Sequence, residues 1–318
     1  GCTSTSVTEK YQDKRNDIIN VKDKVIEFET GNVLIGSVSR LYMSNKCLLI
    51  ADHKSVDKQI HIFNKNDFSY LTSIGNFGEG PEEITVMGCL AIDEAHHQLY
   101  VSDHAKQKIF SYDMDSVMVD SLYKPQVKTA MNETLFPSEY QYINDTLSIA
   151  VLIKPTSTST FNQFLGRWNM NTGEMIPMKY THPDIQKKRI TFAASEKAGI
   201  YVECYTRHDL MTICSLDGEL LYNIYGPDWD GGNGNKLQSF GTVMIGNDKI
   251  FVSYCGEDYA RDSFPTKILV FDLEGNYLKT LETGYKISDC CYDSFNNRII
   301  LSLNDVVQFA YLDIDGII

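Results

Sequence analysis

Six segments of this 318-residue chain share one pattern: apolar, any, apolar, then small or polar. They are LLIAD from Leu48, LYVSD from Leu99, LSIAV from Leu147, IYVEC from Ile200, IFVSY from Ile250 and IILSL from Ile299. Their starting points lie 51, 48, 53, 50 and 49 residues apart. Alternation with β-branched and aromatic enrichment marks each as a strand. A period of this length means stacked units, each too small to bury its apolar faces without neighbours.

Each segment is followed by a second strand-like run that ends in turn chemistry: QIHIFNKND, KIFSYDMDS, FLGRWNMNTG, LMTICSLDG, KILVFDLEG and VVQFAYLDIDG. A further run follows in most units (YLTSIG, VDSLYK, MIPMKY, ELLYNIY, YLKTLE), and another precedes each signature (VMGCLAID, EYQYIND, ITFAASE, SFGTVMIG, ISDCCYD). Four antiparallel strands per unit, repeated six times, predict an all-β, six-bladed β-propeller. The sixth unit ends after its third strand and would leave an open sheet edge, which β proteins avoid. KVIEFET, Lys24 to Thr30, is strand-like and belongs to no other unit, so it is expected to close the ring.

The formal charge of −13 argues against nucleic acid as a partner, since backbone phosphates require a concentrated Lys/Arg surface. No run approaches the roughly 18 to 20 apolar residues of a membrane span. None of the eight cysteines makes a CxxC pair. They read as buried free thiols, with Cys204 and Cys214 the one pair placed to face across a short hairpin. The histidines His61, His96, His97, His182 and His208 show no HxxxH or HxH spacing, and no G-x-S-x-G elbow is present. No metal site, cofactor or catalytic residue is expected.

The segment IADHKSVDKQIHIFNKNDFSYLTSIGNFGEGPEEITVMGCLAIDEAHHQLYVSD, Ile50 to Asp103, resembles the NHL-type repeat. More closely, it resembles the six-bladed TolB-like propeller lipoproteins of the Bacteroidetes. The matching residues are the AD and SD strand ends, the QI.IF and KIFSYD strands, and Gly75, Gly78, Gly80, Pro81 and Glu82. Gly75 to Pro81 reads as a corner between units, because a phosphate loop requires Gly-Lys-Ser/Thr leading into a helix. Asp52 and Asp103 hold equivalent places after the second strand and are expected to cap the loop by accepting backbone N–H bonds.

Four polar, aromatic loops are expected to gather on one face: Gly75 to Glu83, Leu152 to Gln163, Gly226 to Asn235 and Cys255 to Thr266. They would bring Phe77, Trp229, Tyr259 and Phe264 near Glu79, Glu82, Asp228, Asp230 and Arg261. Stacking area combined with directional polar groups suits a sugar or an extended polypeptide. The reading is a non-catalytic binding propeller that engages a protein or glycan as a monomer. The alternative is a metal-dependent hydrolase or lyase resembling the six-bladed lactonases. It would need carboxylates converging from the inner strands, where Arg40, Glu139, Tyr140, Tyr142 and Asp289 are the polar residues.

The opening GCTSTSVTEKYQDKRNDIIN sets a cysteine in a small, polar stretch. Cys2 is read as the lipidated residue of a bacterial lipoprotein, residues 1–22 as its tether and residues 23–318 as one propeller domain. The expected location is extracytoplasmic, lipid-anchored to the outer membrane on its periplasmic or surface side, with no other membrane contact.

Overall fold

The structure, a computed structural model, describes residues 7–233 and 236–318. Its strands form six sheets, which fall into two compact units of three: Phe28–Pro177, and Met178–Ile318 together with the N-terminal 27 residues.

In the first unit, the first sheet runs Ser39–Met43, Cys47–Asp52, Lys58–Asn64, Tyr70–Asn76. The second runs Met87–Asp93, Gln98–Asp103, Lys108–Asp113, Gln126–Ala130, and the third Phe136–Asn144, Leu147–Pro155, Phe161–Trp168, Met175–Pro177. Each is an antiparallel meander in chain order. The second strands are apolar without a polar break because both faces are covered. Leu99 and Val101 pack toward the first sheet with Leu49 and Ile62, while Tyr100 between them packs toward the third with Ala150 and Trp168. Period two thus serves two cores. VDSLYK, expected as a strand, instead begins on the last residue of a short helix, Met114–Val119, capped by Asp113 accepting from the Ser116 amide at 2.8 Å. The fourth strand of that sheet begins only at Gln126.

In the second unit, the fourth sheet runs Ile190–Ser195, Ile200–Tyr205, Leu210–Ser215, Leu220–Tyr225, and the fifth Leu237–Gly246, Lys249–Asp258, Lys267–Asp272, Tyr277–Glu282. The sixth takes Ile287–Asp293, Arg298–Leu303 and Phe309–Asp313 from the chain end and its fourth strand, Val25–Glu27, from the chain start. Ala310, Tyr311 and Leu312 pair with Glu27, Ile26 and Val25, so the strand read at Lys24 to Thr30 completes this sheet.

Two segments of the stretch read as a tether are bound to sheet edges. Glu9–Tyr11 adds in parallel to Leu220–Tyr225 and Ile18–Asn20 to Tyr277–Glu282, giving the fourth and fifth sheets a fifth strand. Between them Arg15 reaches Asp209 at 2.6 Å, with both side chains almost fully buried. Cys2 and the rest of residues 1–6 lie outside the described residues. Cys204 and Cys214 do not face each other: Cys204 is in register with Met211 and Cys214 with Tyr201. Both are free buried thiols.

Candidate anion-binding site

The Gly75 to Pro81 stretch is a corner. Gly75 has φ +78°. A Cβ on Gly78 or Gly80 would lie 2.5 or 2.6 Å from Glu83 Oε1, the atom that accepts the Gly80 amide at 3.0 Å. The glycines are there because the Glu83 carboxylate fills the inside of the turn, and the Lys106 ammonium closes it by donating to the Gly80 and Glu83 carbonyls. Phe77 and Glu79 are exposed on this corner, and Glu82 pairs with Lys124 at 3.5 Å.

The loop-capping role of the repeated aspartates is present. Asp52 accepts the Gly36 and Lys54 amides, and Asp103 accepts those of Thr85, Val86, Ala105 and Lys106. Among the inner-strand polar residues, Arg40 and Glu139 pair at 2.5 Å, and Asp289 accepts from the Thr242 hydroxyl at 2.8 Å. Leu152 to Gln163 is mostly strand, paired out to Pro155 and Phe161.

The Met178–Ile318 unit contains a cavity of about 390 Å³ lined by Gln186, Lys187, Arg189, Arg207, His208, Gly232 and Asn233. Three segments of one sheet build it: the approach to the first strand, the loop from second to third strand, and the exit from the fourth. Backbone bonds join them, from the Thr206 amide to the Arg189 carbonyl at 2.9 Å and from the Gly226 amide to the Asp209 carbonyl at 3.0 Å. Asp209 also accepts the Asp228 amide at 3.0 Å, and Arg15 holds its carboxylate in place.

The cavity is basic within an acidic chain. Arg207 lies over the ring of Tyr259 at 3.2 Å, which orients its guanidinium fork. His208 is buried, and its Nδ1 has no hydrogen-bond partner. Burial lowers the His208 pKa and outweighs the opposing pull of Asp230, while His182 and Arg207 push it the same way as burial. The imidazole is therefore neutral at pH 7 and able to donate or accept.

Of the eight ligand-binding residues anticipated from the sequence, three flank this cavity. Trp229 packs edge-on against His182 and Tyr225 and tilted against His208, so it props the cavity wall and is not an open platform. Asp230 acts on His208 through its charge, and Tyr259 supports Arg207. Asp228 turns to Tyr254, accepting its hydroxyl at 2.6 Å, and Arg261 pairs with Glu257 at 3.4 Å on the surface. Phe77, Glu79 and Glu82 belong to the Phe28–Pro177 unit and do not line it. Lys187, Arg189 and Arg207 escaped the sequence reading, and His208 entered it only as a histidine without metal-ligand spacing. For Lys187 and Arg189 the signal was QKKR, a basic run just before a strand in a chain of net charge −13.

A family described as a 6-bladed beta-propeller, DUF5128, matches residues 4–163, half of the chain. The chain belongs to this family. Solved structures with the DUF5128 chain's fold include a protein described as exported from Bacteroides fragilis, 14% identical, covering 92% of this chain and 88% of its own, with a TM-score of 0.61. A DUF4221 member from Bacteroides vulgatus is 10% identical over 91% and 94%, with a TM-score of 0.56. The RRP9 WD40 repeats are 10% identical over 92% and 97%, with a TM-score of 0.60. At these identities the likeness is one of fold. No curated protein matches the DUF5128 chain in sequence.

Proposed function

We propose that this propeller is a non-catalytic binding protein whose basic cavity takes an acidic sugar residue of a glycan. The observation that carries the reading is His208, buried with an unpartnered Nδ1 in a cavity walled by Lys187, Arg189 and Arg207. A buried polar atom left without a partner costs about 1 to 3 kcal/mol, and a ligand oxygen would remove that penalty. A guanidinium held flat on an aromatic ring suits a carboxylate or sulfate, which it can engage through two parallel N–H bonds. Gln186 and Asn233 on the same wall offer amides to ring hydroxyls. The cavity volume fits one monosaccharide rather than a peptide segment.

The setting is extracytoplasmic, in keeping with a fold relative described as exported. Lipidation at Cys2 would hold the propeller at the envelope, with the glycan as its partner. Calorimetry of oligosaccharides that carry a uronate or sulfate, against their neutral counterparts, tests the reading. Saturable binding of the acidic forms is expected, weakened about tenfold or more by Arg207→Lys, which keeps the charge and loses the fork. Equal binding of the neutral sugars, or binding of acidic peptides and no acidic sugar, refutes it.

A further inference from the structure

The Phe28–Pro177 unit holds a second constellation, distinct from the basic cavity. Asp93 ends the first strand of the second sheet and His96 lies in the turn after it, with Asp145 in the corresponding turn of the third. One ligand atom from each lies within 4.8 Å of the other two. Asp93 Oδ2 is 2.8 Å from His96 Nδ1 and accepts the Tyr100 hydroxyl at 2.7 Å. The Tyr142 hydroxyl donates to Asp145, and the two tyrosine rings pack edge to face at 5.2 Å. We propose that Asp93, His96 and Asp145 bind one divalent transition-metal ion of the zinc, cobalt or nickel type.

An internal comparison separates this arrangement from ordinary turn chemistry. The sixth sheet makes the same turn with Asp293, Asn296 and Asn297. The Asn296 amide and side chain donate to Asp293 at 3.2 and 2.7 Å, and Asn297 has φ +49° where His97 has φ +52°. The turn therefore needs a donor at the third position, and asparagine suffices. In the sixth sheet Arg298 also lies 3.5 Å from the Asp293 carboxylate. The residue in that place in the second sheet is Gln98, which donates to the His96 carbonyl and to Asp113 instead. In the second sheet the permanent cation is thus absent, an imidazole stands in place of the asparagine, and a second carboxylate lies within reach.

The donor set is one nitrogen and two oxygens, which suits zinc, cobalt or nickel and makes magnesium or calcium poor candidates. Each carboxylate is oriented by a tyrosine hydroxyl, as metal-binding carboxylates are. A shallow pocket of about 510 Å³, with Gln98, Ser111 and Gln126 in its lining, opens on His96 and Asp145 and leaves room for water to complete the coordination. Lys128, 4.0 Å from Asp145 and resting over the Tyr100 ring, is the group a metal would push aside. On binding, the ion takes the place of the proton between His96 Nδ1 and Asp93 Oδ2, and the neutral imidazole then carries its one proton on Nε2.

The test uses the full chain stripped with chelator and titrated with Zn²⁺ by calorimetry, and with Co²⁺ by its visible absorption. One equivalent is expected to bind. His96→Asn copies the sixth-sheet turn and so keeps the fold, which its melting in chelator verifies, while metal binding falls at least tenfold. Asp145→Asn does the same, and Tyr142→Phe weakens binding by about tenfold. Absence of saturable uptake by the native chain, or uptake unchanged in both His96→Asn and Asp145→Asn, overturns the site.

Discussion

The aspartates that end the second strands of the first two sheets show how one carboxylate can fix a blade junction. Asp103 is wholly buried and accepts four backbone amides, at 2.8 to 3.2 Å, from both segments it joins. Asp52 in the first sheet accepts two. Removing such an acceptor strands every amide it served, at about 1 to 3 kcal/mol for each one left buried. Asp103→Ala is therefore expected to cost about 3 kcal/mol or more in urea unfolding, and Asp52→Ala clearly less. Equal losses would show that the amide count does not set the cost. This role was legible in the sequence because it repeats: Asp52 and Asp103, at the same phase of two units, imply one local job. His96 and Asp145 were not legible. A turn aspartate with a donor three residues on is indistinguishable from an ordinary Asx turn until the neighbouring turn supplies the second carboxylate.

Among the elements, the N-terminal segment departs most from its sequence reading. Small, polar residues that read as a tether are held by parallel pairing and by side chains that anchor at intervals. Glu9 accepts from Asn223 and from the Tyr225 hydroxyl, Tyr11 stacks on Tyr225 at 4.5 Å, and Asp17 pairs with Lys279. The strands are three residues long, with no alternation to detect, so nothing local announced them. Val25–Glu27 is legible through topology alone, because the sixth unit lacks a fourth strand of its own. Arg15 does most to bind the segment, since its partner Asp209 adjoins His208 and organises the cavity loop. Breaking a buried ion pair on one side leaves an uncompensated charge, costing about 3 to 5 kcal/mol. Asp209→Ala should destabilise the chain by that amount in chemical denaturation. Adding Arg15→Met should restore most of it, because the stem then lies between Phe240 and Phe271 without a charge. A double variant no more stable than Asp209→Ala would mean that the pair itself, and not the stranded charge, carries the effect.

Over the whole chain, acid is expected to move stability and binding in opposite directions. His61 and His104 in one unit and His182 and His208 in the other all have pKa values lowered first by burial. Their unfolded values lie near 6.5. Below that pH the unfolded chain takes up protons that the native imidazoles resist. Stability is thus full above about pH 6.5 and is lost as pH falls through the lowered native values. Carboxyls held low, such as Asp93, Asp113 and Asp305, add a loss of the same sign below about pH 4. An anion seated beside His208 reverses the local balance, because a negative charge favours the imidazolium and raises the bound-state pKa. By linkage, affinity for the acidic sugar should rise between pH 7 and 5.5 while the melting temperature of the free chain falls, so that saturating ligand protects most at the acid end. His208→Gln should flatten the affinity profile, and the acid loss of stability should persist because three buried histidines remain. An affinity that weakens with acid in parallel with stability would leave His208 outside the binding site.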